Sequence, residues 1–233
     1  MRALILNSGM GSRMGDSTKN SPKCLSMISD DVTILSNQLD ILINNDIKDI
    51  VITTGAHSSM LREYVEEKYI GSNITFVHND LFSSTNYIYS IYLARNELDD
   101  DIIIMHGDLV FSDEVFKGLL AQTSSCVVVD TTISLPEKDF KAVVKDDKVT
   151  LIGIEFFDNA YACQPLYKLK KDDWKIWLDS ITYFCENGNT GVYAENALNQ
   201  VSAQVGIIPY DVKGKLCQEV DTVSDLEAVK KLI

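Results

Sequence analysis

Leu6 to Leu25 reads LNSGMGSRMGDSTKNSPKCL and follows directly on an apolar run, Ala3-Leu-Ile-Leu6. Gly9 and Gly11 lie one residue apart, then comes Arg13, and ten residues later Lys23 stands behind Pro22. A strand that breaks into a glycine-rich loop exposes backbone N–H groups able to cradle phosphates. Arg13 adds a charged fork and Lys23 a point charge. Pro22 fixes its own φ and pushes Ser21 towards an extended shape, so Lys23 sits on a stiff arm. The stretch reads as a triphosphate-binding loop. It is not a Walker loop, because Gly11 to Gly15 lacks both the spacing and the lysine. It is not a dinucleotide fingerprint either, since the third glycine would fall at Met14.

LNSGMGSRM followed by SPKCL resembles the signature of the nucleotidyltransferase family that holds the sugar-1-phosphate nucleotidyltransferases and the bacterial choline-phosphate cytidylyltransferases. The likeness runs over most of the chain. It implies an α/β fold with a Rossmann-like, mixed, mostly parallel sheet, helices on both faces, and a small antiparallel hairpin and helical insertion on the acceptor side.

Working outward, Thr33 to Asn45 places Ile34, Leu35, Leu39, Leu42 and Ile43 on one helical face, with Thr33 as N-cap. Asp49–Thr54 and Asn73–His78 read as strands, separated by an amphipathic helix over Ser58–Tyr69. That alternation is the rhythm of a parallel sheet covered on both faces. Within Asn79–Leu98 a helix is expected, capped by Ser83, Ser84 or Thr85. Asp101–His106 is the most continuous apolar strand and belongs at the sheet centre. Ser112 caps a helix to about Gln122, and Cys126–Asp130 is the next strand. Phe140–Phe157 reads as a hairpin turning at Asp146-Asp147. Helices are expected over Leu166–Cys185 and Thr190–Gln200. Val205–Val212 returns as a strand, Gln218–Asp221 follows, and Ser224–Ile233 ends the chain as a helix. The reading is one domain over 1–233, with 1–130 and 205–233 as nucleotide and metal core and 131–204 as the acceptor-side portion.

Composition narrows the function classes. Charged residues make up 24% and hydrophobic residues 45% of 233, as in ordinary globular proteins. No apolar run approaches a membrane span, residues 1–7 already read as strand so that no signal peptide is expected, and five scattered cysteines form no metal or disulfide spacing. A cytoplasmic setting is expected. A net charge of −13 argues against nucleic acid as partner. It also requires local cations to bring in an anionic substrate, and a divalent metal held by carboxylates would serve.

Asp108 follows the central strand at its C-terminal end, where α/β sheets bind ligands. Glu219 and Asp221, two apart, project the same way from a strand. The resemblance makes Asp108, in a G-D-x-x-F element, and Asp221, in EVDTVSD, the ligands of Mg²⁺, and it leaves Asp225 to favour the helix dipole alone. It gives Lys23 the α-phosphate region and Arg13 with the Gly9, Met10, Gly11 and Ser12 amides the β,γ-phosphates. Leu6, Ser8 and Gly9 would meet the base, with Thr54, Gly55 and Ala56 close by, Gly107 among the nucleotide-binding residues, and Asn86 and Ser90 presented towards the nucleotide. The catalytic set is thus Lys23, Arg13, Asp108 and Asp221. His106 is read as structural.

The layout resembles the cytidylyltransferase branch, which points to CTP as donor. Tyr193, Glu195 and Phe140 are the candidate acceptor-binding residues. Ala194 stands where a choline cage would hold tryptophan, so Tyr193 and Glu195 point to a phosphorylated or phosphonate amine or amino acid, with choline phosphate left open. Trp174 and Trp177 read as packing. Alternatives are a sugar-1-phosphate enzyme using UTP or dTTP, a nucleotide-sugar glycosyltransferase, which would usually carry D-x-D, and an inactive nucleotide-binding regulator. Nothing fixes the oligomeric state, and a homodimer is left open.

Overall fold

The computed structural model describes residues 1–9 and 21–233 of the chain. Met10, Gly11, Ser12 and Arg13 lie outside the described residues.

β1 (Arg2–Asn7) leads into the loop, and after it come a short hairpin, β2 (Met27–Ser29) and β3 (Val32–Thr33), and helix α1 (Ile34–Asn44). Thr33 caps α1 as expected, with a reciprocal bond to Ser36 that satisfies two groups at the helix start. β4 (Asp49–Thr54), α2 (Ser58–Lys68) and β5 (Asn73–His78) follow. Helix α3 (Tyr87–Ala94) is capped by Asn86, whose side chain accepts from the Tyr87 N–H, rather than by Ser83, Ser84 or Thr85. β6 (Ile102–His106) and β7 (Leu109–Phe111) flank Asp108, and α4 (Asp113–Ala121) starts on its Ser112 cap. β8 (Cys126–Asp130) precedes the hairpin β9 (Lys141–Lys145) and β10 (Lys148–Gly153). Asp146 and Asp147 turn it at φ 52 and 57, the two left-handed positions that the twist of a two-residue hairpin calls for.

The expected helix over Leu166–Cys185 needs correction. Ala160–Leu169 is a ten-residue strand, β11, and helix α5 begins only at Lys171 and ends at Glu186. β11 pairs with β6 along Leu166–Leu169, with β9 along Ala160–Ala162, and with β8 across its other edge. Leu166, Tyr167 and Leu169 also fit the spacing of the helix that follows, and periodicity alone does not separate the two over so short a run. The register shift between Cys163 and Tyr167 accommodates Pro165, which has no N–H to give the ladder. Helix α6 (Ala194–Val201) likewise starts later than Thr190, and β12 (Ile208–Asp211), β13 (Cys217–Glu219) and α7 (Val223–Val229) complete the chain.

The main sheet runs β10-β9-β11-β6-β1-β4-β5, with β8 on β11 and β12 on β8. β6, β1, β4 and β5 are mutually parallel, and β11 is antiparallel to its neighbours. Strand alternation divides the core. Leu4, Leu6, Ile102 and Ile104 pack towards α3, α5 and α6, where Trp174 and Trp177 are buried and donate to the Leu98 and Ala194 carbonyls. Ala3, Ile5, Ile103 and Met105 pack towards α1, α2 and α4. Both faces are covered, as the parallel strands require. Ile104→Ala, at a site 2% exposed, is expected to cost about 2–5 kcal/mol of unfolding free energy, read from urea melts.

From β1 the chain steps to β4 and β5 on one side, then crosses to β6 on the other. The C-terminal ends of β1 and β6 therefore flank a topological switch point, the place where open α/β sheets form a ligand crevice. Among the described residues no helix is long and apolar enough to cross a membrane.

Candidate active site

A cavity of about 380 Å³ opens at those two strand ends. Leu6, Asn7, Ser8 and Gly9 enter it from β1, and His106, Gly107 and Asp108 from β6. Pro22 and Lys23 form another wall, and Glu219 and Asp221 reach in after β13.

Strand register and a few backbone bonds account for this convergence. β13 lies antiparallel to β7 with Glu219 opposite Leu109, and the Val220 N–H donates to the Asp108 carbonyl at 2.9 Å. Asp108 and Asp221 are thus brought together by strand register. The Asp225 carboxylate accepts from the N–H of Asp221 and from both the N–H and Oγ1 of Thr222. Besides meeting the α7 dipole, it fixes the backbone that carries Asp221, a role that helix patterning alone did not assign. Pro22 sits at φ −64, ψ 141, and the turn closing on its carbonyl holds the root of Lys23.

Lys23 Nζ donates to Asp108 Oδ2 at 2.7 Å and to Asp221 Oδ1 at 2.6 Å, with its side chain 12% exposed. Burial works to lower its pKa, but the two carboxylates outweigh it and hold the ammonium above the ordinary lysine range. Burial likewise raises the Asp108 carboxyl, and Lys23 and His106 more than reverse that. Asp108 Oδ1 is buried and has no hydrogen-bond partner among the described residues. Two carboxylates against one ammonium, with a buried oxygen left over, suit a hard divalent cation. His106, Asp108 and Glu219 also offer ligand atoms within 4.8 Å of one another.

His106, read as structural, stands at the cavity wall, and its Nδ1 lies 2.9 Å from Glu219 Oε1. Burial opposes its charge, yet Glu219, Asp108 and Glu195 raise its pKa to about 9. Burial and the neighbouring Asp108 and Asp221 raise the Glu219 carboxyl against the pull of His106. The sequence signal lay in His106 abutting G-D and in Glu219 alternating with Asp221.

Beyond Asp108 the cavity becomes aromatic. Tyr87, His106, Phe140 and Tyr193 form a closed circuit, with centroid separations of 4.7, 6.3, 5.1 and 5.9 Å around it. Lys138, Asp139 and Ile154 also line the cavity, as do Phe82, Thr85, Asn86 and Asn79.

Four expected contact residues are not among those lining the cavity. Ser90 is buried one layer behind it, 2.6 Å from Ser8 Oγ, and accepts from Asn79. Thr54 is fully buried beside His78. Gly55 packs beneath Ser8, where a Cβ would come within 2.3 Å of the Ser8 carbonyl oxygen. Glu195 is 2% exposed and accepts from the hydroxyls of Tyr87 and Tyr167, so it is not open to receive an ammonium directly. Gly55 and Ser90 pack against Ser8, and Thr54 pairs with Asn7.

Gly107 packs against the Asn7 side chain. Its N–H donates to the Leu6 carbonyl, and a Cβ there would stand 1.8 Å from Asn7 Oδ1. Gly107→Ala is expected to push Asp108 out of line and lower kcat by about 10²-fold, the cost of an ångström-scale misplacement. Steady-state kinetics beside thermal melts should show activity falling much further than stability.

Residues 3–149 match the model of the MobA-like NTP transferase domain. The chain is 33% identical over 128 residues to a CMP-5'-(3-aminopropyl)phosphonate synthase of Streptomyces rubellomurinus, covering 55% of this chain and 20% of that protein. It is 23% identical over 241 residues to a choline-phosphate cytidylyltransferase of Streptococcus pneumoniae, covering 100% of this chain and 98% of that one. The chain therefore spans about a fifth of the first relative and nearly all of the second. Its fold matches the solved CTP:phosphocholine cytidylyltransferase of Streptococcus pneumoniae with a TM-score of 0.80 at 21% identity, over 99% of this chain and 98% of that chain.

Proposed function

The chain belongs to the MobA-like NTP transferase domain family, and from that premise we propose that it transfers CMP from CTP to a small phosphorylated or phosphonate acceptor. The observation that carries this reading is Lys23 bridging Asp108 and Asp221, in a cavity that Tyr87, Phe140 and Tyr193 also line. The names of the two relatives support the cytidylyl donor and the phosphonate or phosphate acceptor.

The acceptor's phosphate or phosphonate oxygen, already ionised near neutral pH, attacks the α-phosphorus of CTP, and the bond to pyrophosphate breaks. No general base is needed, so the residues align and neutralise charge. Lys23 Nζ reaches the α-phosphate region and the incoming oxygen. Arg13 and the amides of Gly9 to Ser12 take the β,γ-phosphates. Leu6, Ser8, Gly9 and Asn86 face the nucleoside, and Gly107 joins the end of β6 to Asp108. Asp108 and Asp221 would hold Mg²⁺, which supplies charge neutralisation between phosphate oxygens. Phe140 and Tyr193, in the acceptor-side portion 131–204, face the acceptor's tail. The five cysteines are free and buried, which supports a cytoplasmic setting.

Pyrophosphate release with Mg²⁺ tests this, crossing four nucleoside triphosphates with choline phosphate, phosphoethanolamine, 2-aminoethylphosphonate, phosphoglutamine and glucose-1-phosphate. Release with CTP and a phosphate- or phosphonate-bearing amine is the expected result. Release only with glucose-1-phosphate and UTP or dTTP would overturn it in favour of a sugar enzyme.

A further inference from the structure

Helix α1 buries an apolar face, and apart from Ser36 of its cap the polar residue buried there is Gln38, with no exposed surface. A buried amide is tolerated where its polar groups are paired. Its two N–H groups are: Gln38 Nε2 donates to the His106 carbonyl at 2.8 Å and to the Leu109 carbonyl at 2.7 Å. Chemistry fixes the orientation of the amide, because turning it over would set its oxygen against two carbonyls. That oxygen, Oε1, is buried and has no hydrogen-bond partner among the described residues. Gln38 is thus matched to its surroundings through its nitrogen, and an apolar side chain in its place would leave two carbonyls without their donor.

Those two carbonyls stand on either side of Gly107-Asp108, one at the end of β6 and one at the start of β7. A single nitrogen bonded to both ties the ends of the turn together. Between them, the Gly107 N–H donates to the Leu6 carbonyl and the Asp108 carbonyl accepts from the Val220 N–H. The turn delivers Asp108 Oδ2 to Lys23 Nζ, and β7 carries the register that brings Asp221 to the same nitrogen. Gln38 itself is not among the residues lining the cavity. We propose that Gln38 is a positioning residue for the transfer, a buried staple whose amide holds the Gly107-Asp108 turn so that the Asp108 carboxylate stays in line with Lys23 and Asp221. This rests on the transferase reading above and adds to it a residue behind the site.

Two variants of the full chain test it. Gln38→Met keeps the length of the side chain and removes both donors. Leu39→Ala, one residue further along α1 and fully buried, controls for lost packing in the same helix. With CTP and the acceptor that supports pyrophosphate release, Gln38→Met should lower kcat by at least about tenfold and leave the KM for CTP within about twofold, because the cavity is intact and one carboxylate is out of line. Leu39→Ala should lower the melting temperature and leave kcat at the wild-type value. A second readout needs neither nucleotide nor metal: the ¹⁵N signal of the Lys23 ammonium, assigned by its loss in Lys23→Met. Hydrogen bonds to two carboxylates slow its proton exchange in wild type. Gln38→Met should shift or broaden that signal, and Leu39→Ala should leave it in place. Gln38→Glu has the same shape with at most one donor; it should show the same two changes, and supplies the comparison if Gln38→Met does not fold. Wild-type kcat and an unmoved Lys23 signal in the Gln38 variants, equal changes in Leu39→Ala, or no protected Lys23 signal in wild type would each overturn the proposal. A chain inactive with every nucleotide would defeat the transferase reading, while the Lys23 signal still judged Gln38.

Discussion

Lys23→Met is expected to lower the turnover of CTP-dependent pyrophosphate release by on the order of 10²–10³-fold, the usual cost of removing one preorganised electrostatic donor. Methionine keeps the unbranched stem and removes the ammonium, so the loss reports charge rather than packing. The variant should also melt at a lower temperature than wild type, because Asp108 and Asp221, each within 2.7 Å of the same nitrogen, would be left facing each other uncompensated. Added Mg²⁺ should then raise the melting temperature of the variant more than that of wild type, since the ammonium and the cation compete for the same oxygens. The two carboxylates hold the Lys23 pKa above its ordinary value of 10.5. Its stabilising effect is therefore fully present below that value and lost only as pH rises through the higher folded value. The loss in the variant should accordingly be flat across the neutral range. An undiminished rate, or a Mg²⁺ shift equal to wild type's, would remove Lys23 from the role given to it.

How far the sequence carried the reader depended on whether a signal was local. Thr33 and Ser112 announce their helices because a cap and its helix lie within four residues. Ile102–His106 announces its central place because burial on both faces leaves only apolar side chains. Asp108 and Asp221 could be paired through the resemblance, but the register that joins them, Glu219 opposite Leu109, is non-local. The same limit hid β11, whose partners β6, β8 and β9 are all distant in the chain. It also hid two partnerships beside the aromatic wall of the cavity. Nothing near His106 in sequence shows that it will meet Glu219, and nothing near Glu195 shows that two tyrosines, one on α3 and one on β11, will close over it. Ser90 was placed on the correct helix, but one turn beyond Asn86 carried it behind the cavity wall, where it supports Ser8.

Asp108→Asn and Asp221→Asn should each reduce turnover by on the order of 10³-fold or more, because charge stabilisation by a bound divalent cation is worth several kcal/mol. Each amide has the carboxylate's shape, so the chain is expected to fold, with Val220 still donating to the Asp108 carbonyl and Asp225 still holding the backbone of Asp221. The two changes should not add. If both aspartates hold one cation, losing either disables the unit, and the double variant Asp108→Asn/Asp221→Asn should be little slower than either single one. Independent roles would instead multiply the losses. Glu219→Gln provides the contrast. Its Oε1 is engaged by His106, so its loss should fall on the acceptor's KM more than on kcat. A fully additive double variant would separate Asp108 from Asp221 and leave Lys23 joining two carboxylates with different tasks.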